Sequence, residues 1–368
     1  MSELAEVMSG GARGFSTSEF PFPGRGPRMG ALLNRFQPKV LRMRKIVALV
    51  LACMLLVLAI WTSPAGAQTA PTFVGVRTFL SAPYEPDLDK LHADFAVLGV
   101  PFDEGTWGQP GERYGPRDLR ESSQEYAHDL TEGFYYIDGD RTVLKGKHWV
   151  DVGDVVIYPT VAEQTDAKIT EAVKKILAKK AFPIILGGDH SITFPVIRAY
   201  DIPLTVVHID AHLDTWNGAP GNLDHASWVL RVAKLSTVRH ITQIGMRGIA
   251  NDEESAGNAK ALHTTVVTSE EIHRRGIAAA IEHIPPSENI YVTFDVDSMD
   301  PTLAPGTGTL EPGGLNFAEI DDLMKGIPAK GKLVGLDIVE VNPYRDPSGR
   351  TAQTAIRLMV DLLASAFQ

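Results

Sequence analysis

Cysteine is almost absent from this chain. Of the 368 residues only Cys53 is a cysteine, and it lies inside an apolar run at residues 46–61. A mature chain without that run would hold no thiol. The sequence therefore excludes disulfide bonds and thiolate catalysis.

Positive charge is also scarce outside the N-terminus. The chain has 35 lysines and arginines against 45 acidic residues, a formal net charge of −10, and the basic excess is confined to the leader. Nucleic-acid binding needs a basic surface, so the balance argues against such a partner. An acidic body is compatible with a small cationic substrate. The composition, 44% hydrophobic and 22% charged, is that of a globular protein with a real core.

One long apolar run stands near the N-terminus. Residues 46–61 are uncharged, follow a basic cluster ending at Lys45, and precede the small residues Ala65-Gly66-Ala67. This pattern predicts a secretory signal peptide at about residues 43–67, cleaved before Gln68, within an N-terminal extension of residues 1–67. The protein would then be periplasmic or secreted. An uncleaved, membrane-anchored form is the alternative, and translation could start at Met1, Met29 or Met43.

Residues 68–368 are predicted to form one catalytic domain. From residue 94 onward, continuous apolar segments alternate with amphipathic ones, which predicts a mainly parallel sheet covered by helices on both faces, a three-layer α/β/α domain. Strands are predicted at 95–100, 149–156, 184–186, 205–210, 241–245, 265–267, 291–297 and 333–341. The clearest helices are predicted at 162–180, 191–200, 317–325 and 352–366.

Three polar runs directly follow strand-like segments. They are GGDHS at 187–191, DAHLD at 210–214 and DVDSMDP at 295–301. The carboxyl ends of parallel strands face one crevice, so these runs can meet there. In an extended segment, residues two apart point the same way. We therefore expect one point to be surrounded by four carboxylates and two imidazoles: His190, Asp210, His212, Asp214, Asp295 and Asp297.

Four carboxylates in one place require neutralisation, because like charges at close range are costly. Two divalent cations would balance them, and a ligand set of oxygen and nitrogen suits Mn²⁺. Two adjacent metals can lower the pKa of a shared water. The competing interpretation is that these residues cap helices and line a polar rim. The spacing alone does not show which ligands belong to which metal.

These motifs resemble those of a known family. GGDHS, DAHLD and FDVDSMDP are similar to the signature motifs of the ureohydrolases, the arginase and agmatinase family. The resemblance extends to PFDEG at 101–105, PGERYGPR at 110–117, APGTGT at 304–309 and DIVEVNP at 337–343. It spans residue 72 to the C-terminus and implies an arginase-like fold.

The resemblance implies a division of the ligands. One metal would be held by His190, Asp210, Asp214 and Asp295. The second would be held by Asp210, His212, Asp295 and Asp297, so that two carboxylates bridge. Two Mn²⁺ ions per chain are implied, with Ni²⁺ or Co²⁺ as alternatives.

Other positions match catalytic roles in the family. Glu340 matches the carboxylate that grips a guanidinium group, and such a clamp forms paired N–H bonds. His225 matches the histidine that passes a proton to the leaving amine, a task that suits an imidazole. Asp189 and Asp300 are expected to orient ligands, although Asp300 could equally be a turn residue.

The expected reaction is hydrolysis of a guanidino compound to an amine and urea by an agmatinase-like ureohydrolase, with agmatine the first substrate to consider. Hydrolysis of guanidinobutyrate or guanidinopropionate, and then arginase activity, are the alternatives. A catalytically silent metal-binding scaffold and a one-metal deacetylase are the hypotheses from other classes. Departures from the family pattern at Gln109, Leu310 and Trp228, together with Trp107 and Trp216 near the same rim, leave the substrate open.

A homotrimer or homohexamer is expected from the resemblance. The segment at residues 356–363 is apolar on more than one face, which indicates either a partner or deep burial within the same chain.

Overall fold

A computed structural model describes residues 75–218 and 224–367. In this part of the chain, eight parallel strands form one sheet in the order β4-β1-β5-β10-β9-β6-β7-β8. Two further short strands, β2 and β3, pair as an antiparallel hairpin. The strands are β1 (Phe95–Gly99), β2 (Phe134–Tyr136), β3 (Arg141–Val143), β4 (Trp149–Asp154), β5 (Phe182–Leu186), β6 (Leu204–Ile209), β7 (Val238–Met246), β8 (Thr265–Thr268), β9 (Asn289–Asp295) and β10 (Lys332–Val339).

Helices connect the strands and cover the sheet. They are α1 (Gly115–Ser122), α2 (Ala162–Ala178), α3 (Thr193–Ile197), α4 (Trp228–Val232), α5 (Glu253–Ala261), α6 (Ser269–Arg275), α7 (Ile277–Glu282), α8 (Phe317–Gly326) and α9 (Arg350–Ala366). None of the helices in the described ranges is long and apolar enough to cross a membrane.

The sheet separates two hydrophobic cores. Successive residues of a strand point to opposite faces, and in β1 Phe95 and Val97 enter one core while Ala96 and Leu98 enter the other. The first core includes buried residues of α8 and α9, and the second includes those of α2 and α4. The predicted three-layer α/β/α fold with a parallel sheet is therefore confirmed.

Local departures from the prediction occur where strands end. The predicted strand 291–297 ends at Asp295, because the Asp295 side chain accepts a hydrogen bond from the Asp297 N–H at 2.8 Å and begins a 3₁₀ turn. The predicted helix 191–200 is a 3₁₀ turn followed by the short α3. The hairpin β2–β3 was not predicted.

Helix α9 is buried within the chain. Ile356, Met359 and Leu363 are almost inaccessible to solvent, and so are residues on the opposite side such as Leu358 and Leu362. The helix packs against α8 and α1. Its second apolar face is therefore explained by burial and gives no support for an oligomer. The predicted signal peptide and its cleavage site before Gln68 lie outside the described residues.

Candidate metal centre and active site

Four neighbouring strands carry the site. β5, β10, β9 and β6 are adjacent in the sheet, and each is followed at its carboxyl end by a polar segment. Asp210 and Glu340 directly follow β6 and β10, Asp295 is the last residue of β9, and His190 begins a 3₁₀ turn shortly after β5. The strand order thus brings segments that are far apart in sequence to one edge.

One group of ligand atoms surrounds His190. Its Nδ1 lies 3.0 Å from Asp210 Oδ2, 3.1 Å from Asp295 Oδ2 and 3.3 Å from Asp214 Oδ2. All four side chains are buried. Three carboxylate oxygens and one imidazole nitrogen therefore converge on one point.

A second group lies beside the first. His212 Nδ1 is 3.0 Å from Asp297 Oδ2 and 3.4 Å from Asp210 Oδ1. Asp210 therefore directs one oxygen to each group, which is the geometry of a bridging carboxylate. The structure brings together all six predicted ligands.

Turns, and not an extended segment, produce this convergence. The Asp210 side chain accepts a hydrogen bond from the His212 N–H at 2.5 Å, and Asp214 has a left-handed backbone with φ of 51°. Asp297 lies in the turn that follows β9. The expectation that alternate residues of a straight strand share a face was wrong for these two runs, although the side chains still meet.

A relay orients the ring of His190. Its Nε2 lies 2.8 Å from Thr293 Oγ1, and the Thr293 hydroxyl donates to Asp337 at 2.5 Å. We assign the His190 proton to Nε2, so that the Nδ1 lone pair faces the carboxylates. A carboxylate that holds a ligating histidine through its other nitrogen is a common feature of metal sites.

Charge in this cluster is unevenly distributed. Burial, reinforced by Asp210, raises the pKa of Asp214 to about 8, and burial also raises the pKa of Asp295. Burial opposes ionisation of Asp210 as well, but His208, which donates to it from Nε2, holds its pKa well below the ordinary value. The carboxylates cannot all ionise at neutral pH without additional positive charge. Two divalent cations fit this donor set.

Sequence reasoning missed His208. Its Nε2 lies 2.7 Å from Asp210 Oδ2, and its Nδ1 lies 3.2 Å from the Gln243 side-chain nitrogen. Gln243 donates to Nδ1, so His208 Nε2–H donates to Asp210. The signal was present, because His208 stands two residues before Asp210 at the end of β6 and therefore on the same face.

Trp228 contacts two of the predicted metal ligands. The sequence marked it only as a bulky departure from the family pattern. Its indole N–H donates to Asp214 Oδ2 at 2.7 Å. Its ring stacks on the imidazole of His190, with centroids 4.7 Å apart. Trp228 therefore closes one side of the cluster and orients two of its members.

Glu340 lies beside the metal ligands in a strained conformation. It is only 1% exposed and has φ of 63°, in the left-handed region. Oε1 accepts from the backbone N–H of His190 at 2.8 Å and contacts His225 Nδ1 at 3.0 Å. Among the described residues, Oε2 has no hydrogen-bond partner. A buried carboxylate oxygen without a donor is costly unless a ligand supplies one.

His225 bridges Glu340 and the loop at 103–109. Its Nδ1 faces Glu340, and its Nε2 lies 3.2 Å from the backbone nitrogen of Trp107. Burial opposes protonation, but the Glu340 carboxylate raises the pKa of His225 to about 9. The Glu340 carboxylate therefore favours a proton on Nδ1, whereas Nε2 accepts from the backbone N–H of Trp107.

Asp189 and Asp300 act at a distance from the cluster. The Asp189 carboxylate is buried and accepts from the backbone nitrogens of Gly105 at 2.7 Å and Ser191 at 2.9 Å, so it fastens the loop that covers His225. Asp300 accepts from Thr302 and Gly313 in an exposed turn. For Asp300 the turn interpretation applies.

A cavity of about 350 Å³ lies at this edge of the sheet. Its walls include Glu340, His225 and four of the predicted metal ligands, namely His190, His212, Asp214 and Asp295. Its exposed rim includes Trp107 and Asp252. Fold and site together define an α/β protein whose parallel sheet holds, at its carboxyl edge, two adjacent groups of carboxylates and imidazoles that could each hold a metal ion.

Comparison with known proteins identifies the family. A model of the arginase family matches residues 93–364, and the chain belongs to this family, whose members depend on two metal ions. The chain is 31% identical over 316 residues to the human mitochondrial guanidino acid hydrolase, covering 82% of this chain and 87% of that protein. It is 32% identical over 311 residues to the agmatinase of Chromobacterium violaceum, covering 81% and 91%. The crystal structure of a hypothetical agmatinase from Burkholderia thailandensis has a TM-score of 0.69 at 32% identity and covers 79% of this chain and 91% of that one.

Proposed function

We propose that this protein is a hydrolase that cleaves a guanidino compound to an amine and urea, with agmatine as its substrate and two Mn²⁺ ions as its cofactor. The observation that supports the proposal is Glu340, which lines the cavity and whose buried Oε2 atom has no hydrogen-bond partner among the described residues. A planar cation with several N–H donors is the ligand that satisfies such an oxygen.

The donor set supports the choice of metal. His190, Asp210, Asp214 and Asp295 would hold one ion, and His212, Asp297 and the shared carboxylates would hold the other. Carboxylate oxygens with one imidazole per centre suit Mn²⁺, and Ni²⁺ and Co²⁺ are the alternatives. When bound, two such ions supply a water of lowered pKa and Lewis acidity.

Glu340 is built to bind and orient the guanidinium group. Its Oε1 is held by the His190 N–H and by His225, so the carboxylate cannot rotate freely. The remaining oxygen, Oε2, has no hydrogen-bond partner among the described residues and is free to accept from a ligand. Rigid placement of a reacting group contributes to rate because it removes motions that would otherwise have to be frozen in the transition state.

His225 is placed to donate a proton to the leaving amine. The Glu340 carboxylate raises the pKa of His225 to about 9, which favours a proton on the imidazole, and His225 lines the same cavity. Cleavage of the carbon–nitrogen bond leaves an amine nitrogen that requires a proton, and general-acid transfer from a positioned imidazole meets this need.

A substrate panel tests the proposal. Protein loaded with Mn²⁺ is incubated with agmatine, 4-guanidinobutyrate, 3-guanidinopropionate and arginine, and urea is measured. We expect urea from agmatine, and loss of that activity in Glu340→Gln, which has the same shape without the charge. Urea from arginine alone would assign arginase activity instead. Urea from none of them, with two metals bound per chain, would indicate a silent scaffold.

We also propose that the protein is exported and works after removal of the leader. The basis is the basic cluster, the apolar run and the Ala65-Gly66-Ala67 site. N-terminal sequencing of protein from its host should begin near Gln68. An intact N-terminus in a membrane fraction would favour the anchored form.

A further inference from the structure

The rim of the active-site cavity has a distinct chemistry. The indole rings of Trp107 and Trp216 form an edge-to-face pair, with centroids 4.8 Å apart and planes at 83°. The carboxylate of Asp252 lines the same cavity and is exposed. No lysine or arginine of residues 75–218 or 224–367 lines it. The outer end of the cavity therefore offers aromatic rings and negative charge.

This rim is attached to the same framework as the catalytic groups. The backbone N–H of Trp107 donates to His225 Nε2 at 3.2 Å. The backbone N–H of Trp216 donates to the Ala226 carbonyl at 3.0 Å. The hydroxyl of Thr215 donates to the Ser255 carbonyl at 2.7 Å, which joins the Trp216 segment to α5. Asp252 caps α5 by accepting from the Ser255 N–H at 2.6 Å. The rings and the carboxylate are thus held in place relative to His225.

The charge of the rim favours a cation. Hydrogen bonds from Ser255 lower the pKa of Asp252, so it is ionised at neutral pH. Indole rings attract ammonium groups through their electron-rich faces. A substrate carboxylate at this rim would face Asp252 without a cationic partner, and such like-charge contact disfavours binding.

We infer that Trp107, Trp216 and Asp252 form a subsite for the terminal ammonium group of the substrate and exclude substrates that end in a carboxylate. The inference rests on the proposed function and extends it by naming the residues that would recognise the second cationic end of agmatine. Overall similarity does not decide this, since an agmatinase and a guanidino acid hydrolase match the chain about equally.

The experiment compares three substrates that differ only at the far end. Agmatine carries an ammonium group, n-butylguanidine a methyl group, and 4-guanidinobutyrate a carboxylate. We expect kcat/KM to be roughly 10- to 100-fold higher for agmatine than for n-butylguanidine, and lowest for 4-guanidinobutyrate, because a desolvated cation gains both the ring and the carboxylate contacts.

Variants assign the selectivity to named residues. Asp252→Asn keeps an N-cap acceptor and should reduce the preference for agmatine about tenfold, mostly through KM. The control is Glu253→Gln, which removes the same charge one residue along in α5 without lining the cavity, and should leave the preference unchanged. Trp216→Leu should also reduce the preference, and Trp216→Phe should partly restore it.

The outcomes separate the two proposals. Urea from none of the three compounds would overturn the proposed function and the subsite with it. Hydrolysis of agmatine no faster than n-butylguanidine, or equal effects of Asp252→Asn and Glu253→Gln, would overturn the subsite alone. A binding measurement is independent of turnover: 1,4-diaminobutane should change the tryptophan fluorescence of the holoenzyme at lower concentration than n-butylamine, and equal affinities would also overturn the subsite.

Discussion

Two buried charged regions of this protein are balanced in different ways. Arg120 of α1 donates to both carboxylate oxygens of Asp151, at 2.8 and 2.9 Å, and to Asp154 at 2.6 Å. The Phe79 N–H also donates to Asp151 at 2.8 Å. Although burial opposes its charge, the hydrogen bonds that Arg120 donates to Asp151 hold its pKa above the ordinary value. This cluster carries its own cation.

Among the described residues, no lysine or arginine side chain donates to the carboxylates of the cluster at the ends of β5, β9 and β6, whose partners are histidines. Its four carboxylates meet two imidazoles, and the pKa values of Asp214 and Asp295 are raised. The contrast shows that burial of charge has two solutions. The Arg120 cluster contains its own cation and joins elements of the fold. The cluster of predicted metal ligands contains four carboxylates, requires ions from outside to neutralise them, and is suited to catalysis.

The largest expected effect on activity comes from a substitution among the six predicted metal ligands. Asp297→Asn removes a charged ligand and should lower metal occupancy and reduce turnover by several orders of magnitude while the fold remains intact. Metal content per chain and urea release measure this. Asp300→Asn is the control, since Asp300 is a nearby acid in an exposed turn. Normal activity with full metal content in Asp297→Asn would contradict the assignment of the second centre.

Replacement of His225 tests its proposed role as a proton donor without changing any predicted metal ligand. His225→Asn should leave metal content unchanged and reduce the rate by roughly 10²–10⁴. Because the imidazole donates its proton only while protonated, the wild-type rate should fall as pH rises through about 9. That alkaline limb should be absent from the variant. An unchanged rate would show that His225 is an ordinary polar residue.

A substitution in the Arg120–Asp151 cluster should lower the stability of the fold and leave the catalysed reaction unchanged. Arg120→Ala leaves Asp151 buried without its partner and should lower the free energy of unfolding by about 3–5 kcal/mol. Chemical denaturation measures this, and activity per folded molecule should persist. Arg274→Ala, in an exposed pair with Glu270, should change stability by less than about 0.5 kcal/mol. A large loss of metal from Arg120→Ala would contradict the separation of the two regions.

The smallest effect is expected from His208, which links the predicted metal ligand Asp210 to the buried Gln243. His208→Leu removes the donor to Asp210 and should weaken Mn²⁺ binding by roughly 10- to 100-fold. His208→Gln places an N–H near the same position and should restore part of the affinity. Calorimetric titration of the metal distinguishes the variants. Equal affinity in wild type and His208→Leu would reduce His208 to a packing residue.

A homotrimer or homohexamer remains a prediction from the resemblance alone, since α9 is buried within one chain. Light scattering on the mature protein tests it, and an active monomer at micromolar concentration would exclude it.

The sequence by itself determined the fold class and identified six residues, predicted metal ligands, whose side chains the structure brings together. Apolar strand segments alternate with amphipathic helices at short range, so their pattern is readable without tertiary information. The ligands were identifiable because each follows a strand, and Asp210, His212 and Asp214 lie within five residues of one another. Glu340 and His225 were found through the family resemblance.

Only the tertiary structure decided how these segments meet. The last strand, β10, inserts between β5 and β9, and that order places Glu340 against the His190 backbone, 150 residues away. The contacts of Trp228 and the proposed role of Asp252 also depend on long-range packing, since nothing local distinguishes them from ordinary core or capping residues. Strand order is set by burial of whole faces, a property of the assembled sheet and not of any segment within it.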